Sequence, residues 1–160
     1  MRKLNLACAE DFKEGIEWIN IDLHPVISGT WKMDALYLPF KNETIDEIMV
    51  SHFLEHLTYV EINPALTEWR RVLKYWGKLE IIVPDISVIS HRWNDLNLQG
   101  KFFYMCAIMG SQRGPGQEHK NVVDKDILEY WLQVNGFFVK KLYNSPEHDF
   151  WLICEAIKVQ

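Results

Sequence analysis

The chain alternates short apolar segments of strand length with stretches of helical spacing, and few folds satisfy that order. Leu4 to Ala7 forms a short apolar strand, and "WINID", Trp18 to Asp22, a second that ends in an acid. "IDEIMVS", Ile45 to Ser51, is a third. Asn63 to Lys74 carries Leu66, Trp69, Val72 and Leu73 at helical spacing, and Gly77 is read as its stop. "KLEIIVPD" follows as a strand broken by Pro84. Asp124 is an N-cap candidate for a helix through Val134, stopped by Gly136. "FFVKKLY" and "FWLICEAIKV" close the chain as strands joined by the short loop "NSPEHD", which predicts an antiparallel pair. Strand and helix in alternation predict an α/β domain with a mostly parallel sheet. The 160 residues suit one domain, spanning 1–160.

In such sheets ligands sit beyond the carboxyl ends of the strands, where the winding direction reverses. That rule selects Ala7 to Glu10, Asp22, Ser51 with His52, and Pro84 with Asp85. Charge and cysteine usage narrow the setting. The formal net charge of −5 disfavours nucleic acid as a partner. No apolar run approaches the ~20 residues of a membrane span. The opening "MRKLNLACAED" turns acidic too early for a secretory signal. Cys8, Cys106 and Cys154 are odd in number and far apart, which suits reduced thiols and a cytoplasmic location.

The strand-end residues resemble those of the class I S-adenosylmethionine-dependent methyltransferases. "LNLACAE" is similar to that family's "LNLGCGE", and "WINIDLHP" to its second strand with a terminal acid. "MDALYLPFKNETIDEI" resembles an acid followed by "LPF" and a "FDEI" strand, and "SHFLEHL" the "LEH" segment. "WRRVLKYWGKLEIIVPD" resembles "RVLKPGGKLEIIVPD". The match extends over nearly the whole chain and is nearest to a compact subgroup with a short first crossover. It implies a Rossmann-like three-layer sandwich: a seven-stranded, mostly parallel sheet with one antiparallel strand near the C-terminus. It also implies S-adenosylmethionine as cofactor and S-adenosylhomocysteine as product.

The resemblance assigns residues. Asn5, Ala7, Cys8 and Ala9 would form the cofactor loop; Asp22, with Leu23 beside it, would accept from the ribose hydroxyls. Asp34, Ala35 and Leu36 would meet the adenine, while Ser51 and His52 would close over the methionine part and the methyl. The family's loop glycines are replaced by Ala7 and Ala9, which leaves two readings: a retained enzyme, or a degenerate cofactor- or protein-binding module. A nicotinamide-dependent oxidoreductase lacks its G-x-G-x-x-G turn here.

His52 is the first catalytic candidate and His119, in the Gly-rich loop "GSQRGPGQEHK", the second. His119 and Gln112 either line an acceptor pocket or sit on an exposed loop. Glu55, His56 and Asp85 complete the substrate candidates, Asp85 being equally suited to cap the next helix. His52 and His56, four apart with Glu55 between, are read as one helical face; they lack the His-Glu-x-x-His order and a third ligand, so no metal is expected. No "NPPY"-type sequence follows "IDEIMVS", which favours a small-molecule acceptor such as a sugar or glycan hydroxyl. Trp93, Phe102, Phe103 and Tyr104 suit an aromatic acceptor cover or a homodimer surface.

Overall fold

A computed structural model describes residues 1–114 and 116–160. Seven strands form one sheet: β1 (Lys3–Leu6), β2 (Trp18–Asp22), β3 (Trp31–Lys32), β4 (Ile45–Ser51), β5 (Leu73–Pro84), β6 (Phe137–Asn144) and β7 (Trp151–Lys158). Their order is β3-β2-β1-β4-β5-β7-β6. Pairing is parallel from β3 through β5, and β7 runs antiparallel to both of its neighbours. This is the Rossmann-like sheet that the sequence implied. The winding reverses between β1 and β4, so the ligand crevice of such a sheet falls at their carboxyl ends.

Helices α1 (Tyr59–Val72) and α4 (Lys125–Val134) cover one face. Ile62, Ala65, Leu66, Trp69 and Val72 of α1 and Leu128, Trp131 and Leu132 of α4 join Leu4, Leu6, Ile48, Val50, Leu79 and Ile81 in one buried cluster. Burying a side chain of this size contributes roughly 1.5–3 kcal/mol, so this layer supplies most of the cohesion. Trp69 is fully buried, and its indole N–H donates to the Ala35 carbonyl at 2.9 Å, fixing the Asp34–Leu36 turn to α1. On the opposite face the row Lys3, Glu47, Lys78 and Glu80 is half-buried and joined by ion pairs of 2.8–3.4 Å.

The crossover from β1 to β2 contains no helix. A parallel pair ordinarily needs a dozen or more connecting residues. Here two buried asparagines hold the short loop instead. Asn5 Nδ2 donates to Asn20 Oδ1 and to the Asp11 carbonyl, and Asn20 bonds the backbone of Lys13 through both side-chain atoms.

Three local expectations are corrected. Helix α1 starts at Tyr59, ahead of Asn63, because Thr58 and Glu61 form a capping box and Pro64 is accommodated early in the helix. It ends at Val72, so Gly77 is no helix stop. Residues between Leu73 and Lys78 bulge out of the β4–β5 ladder, and a Cβ on Gly77 would stand 2.8 Å from the Lys74 carbonyl oxygen. Segment 86–109 holds two helices to which the sequence reading gave no bounds, α2 (Ile86–Arg92), the one that Asp85 was suited to cap, and α3 (Leu98–Met109). They pack in a second small cluster built on Ile89, Tyr104 and Phe150. Asp124 and Gly136 do cap α4: Asp124 accepts from Ile127 N, and Gly136 has φ +74°.

Candidate functional site

The loop after β1 sits at the switch point. Ala7 and Ala9 both take left-handed backbone, with φ of 50° and 42°. That region costs a residue with a Cβ about 1–2 kcal/mol, which is why glycine is usual there. The loop offsets the cost with fixed partners. Cys8 N donates to the Ile21 carbonyl at 3.1 Å, and Ala9 N donates to Asp22 Oδ2 at 2.9 Å. Asp22 Oδ1 accepts from His24 N at 2.7 Å. The carboxylate is thus aimed, yet each oxygen keeps a free lone pair, as two ribose hydroxyls require. Alanines that hold glycine-like torsions and an acid with spare acceptor capacity together fit S-adenosylmethionine. Cys8 is buried against the same loop, and burial pushes its thiol pKa up.

Asp34 Oδ1 accepts from Leu36 N at 2.9 Å, with Ala35 buried between them. Leu23 is exposed beside Asp22. Ser51 ends β4, half-buried, and His52 follows in left-handed backbone with φ 51°. His52 N donates to the Ile82 carbonyl at 2.9 Å, which pins the bend.

His52 and His56 do not share a helical face. Only a 3-10 turn, Leu54–His56, forms here, and the bend at His52 lies outside it. The two rings therefore enter different environments. His52 stands 4.8 Å from the Trp151 ring, edge to face, and its Nδ1 lies 3.3 Å from Glu55 Oε1. The carboxylate oxygen of Glu55 accepts, so Nδ1 carries a proton, and in the neutral ring Nε2 is the bare nitrogen. His52 Nε2 is buried without a partner. His56 instead meets His119 edge to face at 4.6 Å.

Glu55 is 2% exposed, and its Oε2 also has no partner. Glu55, His56 and His119 gather from segments more than sixty residues apart. Burial lowers the pKa of His119, with the nearby His56 adding to the shift and Glu55 opposing it.

The other substrate candidates are held by local contacts. Asp85 is 2% exposed, and its oxygens accept from Ser87 N, Val88 N and Asn144 Nδ2, so it caps α2 and ties that helix to β6. Gln112 is exposed, with φ 52°, and donates to the Met109 carbonyl. Two residues near the site escaped the sequence reading: Trp151, against His52, and Asn121, whose Nδ2 donates to the Leu54 and Leu57 carbonyls. Neither carries a local motif, because tertiary packing alone brings each to the turn.

Known proteins share this fold. Residues 7–81 match the family model described as a methyltransferase domain. An uncharacterized protein of Methanocaldococcus jannaschii is 46% identical over 67 residues, a match covering 41% of this chain and 28% of that one. A SAM-dependent methyltransferase from Archaeoglobus fulgidus superposes with TM-score 0.69 at 22% identity, over 98% of this chain and 86% of that one. A Burkholderia thailandensis 1,6-didemethyltoxoflavin-N1-methyltransferase superposes with TM-score 0.67 at 12% identity, over 99% and 71% respectively. That enzyme's structure holds 1,6-didemethyltoxoflavin and S-adenosylhomocysteine.

Proposed function

We propose that this chain is a class I S-adenosylmethionine-dependent methyltransferase, as the match of residues 7–81 to a methyltransferase domain supports, and that it methylates a small-molecule acceptor through a hydroxyl, as on a sugar or glycan. When bound, S-adenosylmethionine supplies an electrophilic methyl group on a sulfonium, and alignment of the nucleophile is the protein's main task. Asp22 holds the ribose, and the Ala7–Ala9 loop orients the methionine end. Asp34, Ala35 and Leu36 frame the adenine, while Asn5 and Cys8 support the loop from below.

The observation that carries the choice of a hydroxyl is the His52–Glu55 pair. Glu55 Oε1 fixes the ring tautomer, and the buried, unpartnered Nε2 is left as a proton acceptor. An alcohol needs such a base to become a competent nucleophile. Ser51 and His52 end the strand next to the cofactor loop, so base and methyl donor share one rim. In this reading the protein is cytoplasmic and can pair as a homodimer.

Calorimetric titration with S-adenosylhomocysteine tests the first half of this reading. Micromolar binding is expected, weakened at least tenfold in Asp22→Ala, since a hydrogen bond to a charged group contributes about 1.5–3 kcal/mol. No binding at millimolar ligand would refute it. His52→Ala tests the second half: binding should persist while methyl transfer to a hydroxyl acceptor falls by ~10²-fold or more.

A further inference from the structure

We infer that Glu55, His56 and His119 form a binding site for one divalent transition-metal ion beside His52. One ligand-capable atom from each of these residues lies within 4.8 Å of the others. Two imidazoles and one carboxylate are the ligand set of open catalytic zinc sites and of non-haem iron sites.

The surroundings are built for such a role. His56 Nδ1 lies 3.1 Å from the Glu118 carbonyl oxygen, and His119 Nδ1 lies 3.0 Å from that of Ala107. A carbonyl can only accept, so both Nδ1 atoms carry a proton, and in the neutral rings both Nε2 atoms are bare. Metal-ligating histidines are held in this way, by a second hydrogen bond that fixes tautomer and ring orientation. Glu55 contributes the independent observation. Its Oε1 is engaged by His52, whereas Oε2 is buried with no donor in reach. A buried carboxylate oxygen left so is costly unless something cationic meets it. Glu55 and His119 both line a cavity of about 10 Å³, the room of a single water-sized sphere.

Backbone bonds also keep the two ligand-bearing segments together. Lys120 N and Asn121 N donate to the Glu55 carbonyl at 2.8 and 3.3 Å, and Asn121 Nδ2 clamps the same turn. This is the third ligand that "SHFLEHL" lacked when read alone; the Gly-rich loop delivers it. Three protein ligands leave coordination positions open. Their use in holding an acceptor oxygen next to His52 rests on the methyl-transfer reading, but the existence of the site does not.

The test is a Zn²⁺ titration of the metal-stripped protein by calorimetry, without cofactor, repeated with Co²⁺ and read by its visible ligand-field bands. One equivalent per chain is expected. Glu55→Gln and His119→Ala should each weaken Zn²⁺ binding by ~100-fold or more and abolish the Co²⁺ bands, while His91→Ala, at an exposed helix position, should change neither. Circular dichroism of the same variants reports that they remain folded, and S-adenosylhomocysteine is titrated in parallel. Absence of stoichiometric binding, or equal binding in all variants, would overturn the metal site. Zn²⁺ binding without S-adenosylhomocysteine binding would leave the metal site standing and remove the methyl-transfer reading; the reverse result would do the opposite.

Discussion

Replacing Ala7 and Ala9 together by glycine should stabilise the protein, against the ordinary rule that glycine weakens a fold. Both alanines sit at φ between 40° and 50°, where a Cβ costs about 1–2 kcal/mol per residue. Glycine removes that cost but adds unfolded-state entropy, worth about 0.4–1 kcal/mol per site. The difference is a net gain of roughly 0.5–1 kcal/mol each. The loop's fixed contacts at these positions, Cys8 N to Ile21 and Ala9 N to Asp22, involve backbone donors that glycine leaves intact. The double variant should therefore gain roughly 1–2 kcal/mol, a rise of about 2–8 °C in Tm for a domain of this size. Calorimetric unfolding measures it. Ala65→Gly, in the buried interior of α1, is the contrast and should lower Tm, because a helical φ gives glycine nothing to relieve. A Tm of the double variant equal to or below the parent's would refute the claim that the loop stores backbone strain.

Other outcomes follow from burial and pairing. The Arg71 guanidinium beside Glu68 holds that carboxyl below its usual range, helped by the Leu38 amide and opposed by burial. Its folded pKa lies below the unfolded one, so its stabilisation is present above about pH 4.5 and is lost as pH falls through the depressed value; in Glu68→Gln, the acid limb of a Tm-against-pH curve should be shallower. Cys106 is exposed, whereas Cys8 and Cys154 are buried and burial pushes the Cys154 thiol up to about 12. A thiol reagent at pH 8 should therefore titrate one group quickly, and the other two only after unfolding. Trp69→Phe removes the indole donor to the Ala35 carbonyl and leaves a void in the core. It should cost about 2–4 kcal/mol in denaturant unfolding and weaken S-adenosylhomocysteine binding by loosening the Asp34–Leu36 turn.

Sequence alone determined most of the sheet, apart from the two-residue edge strand Trp31–Lys32, and marked the strand-end residues of the candidate site. Strand and helix periods are local, and β2 and β4 fall where "WINID" and "IDEIMVS" put them. Strand-end acids are legible because a parallel sheet places its ligands there whatever else the chain does. Asp22 proved oriented by the very loop whose alanines raised the question. Their left-handed torsions are set by bonds to Ile21 and Asp22, so tertiary partners and not residue type keep the loop in shape.

Tertiary structure decided the surroundings of His52 and His56. Four-residue spacing suggested one helical face for His52 and His56, but a left-handed bend and a single 3-10 turn send the rings apart. Their partners, Trp151 and His119, come from chain segments 99 and 63 residues further on. The β1–β2 crossover was likewise legible as short, yet only the folded Asn5–Asn20 pair shows how it is held without a helix. Periodicity reports which face of an element is buried; it carries no record of what a distant loop brings to that face.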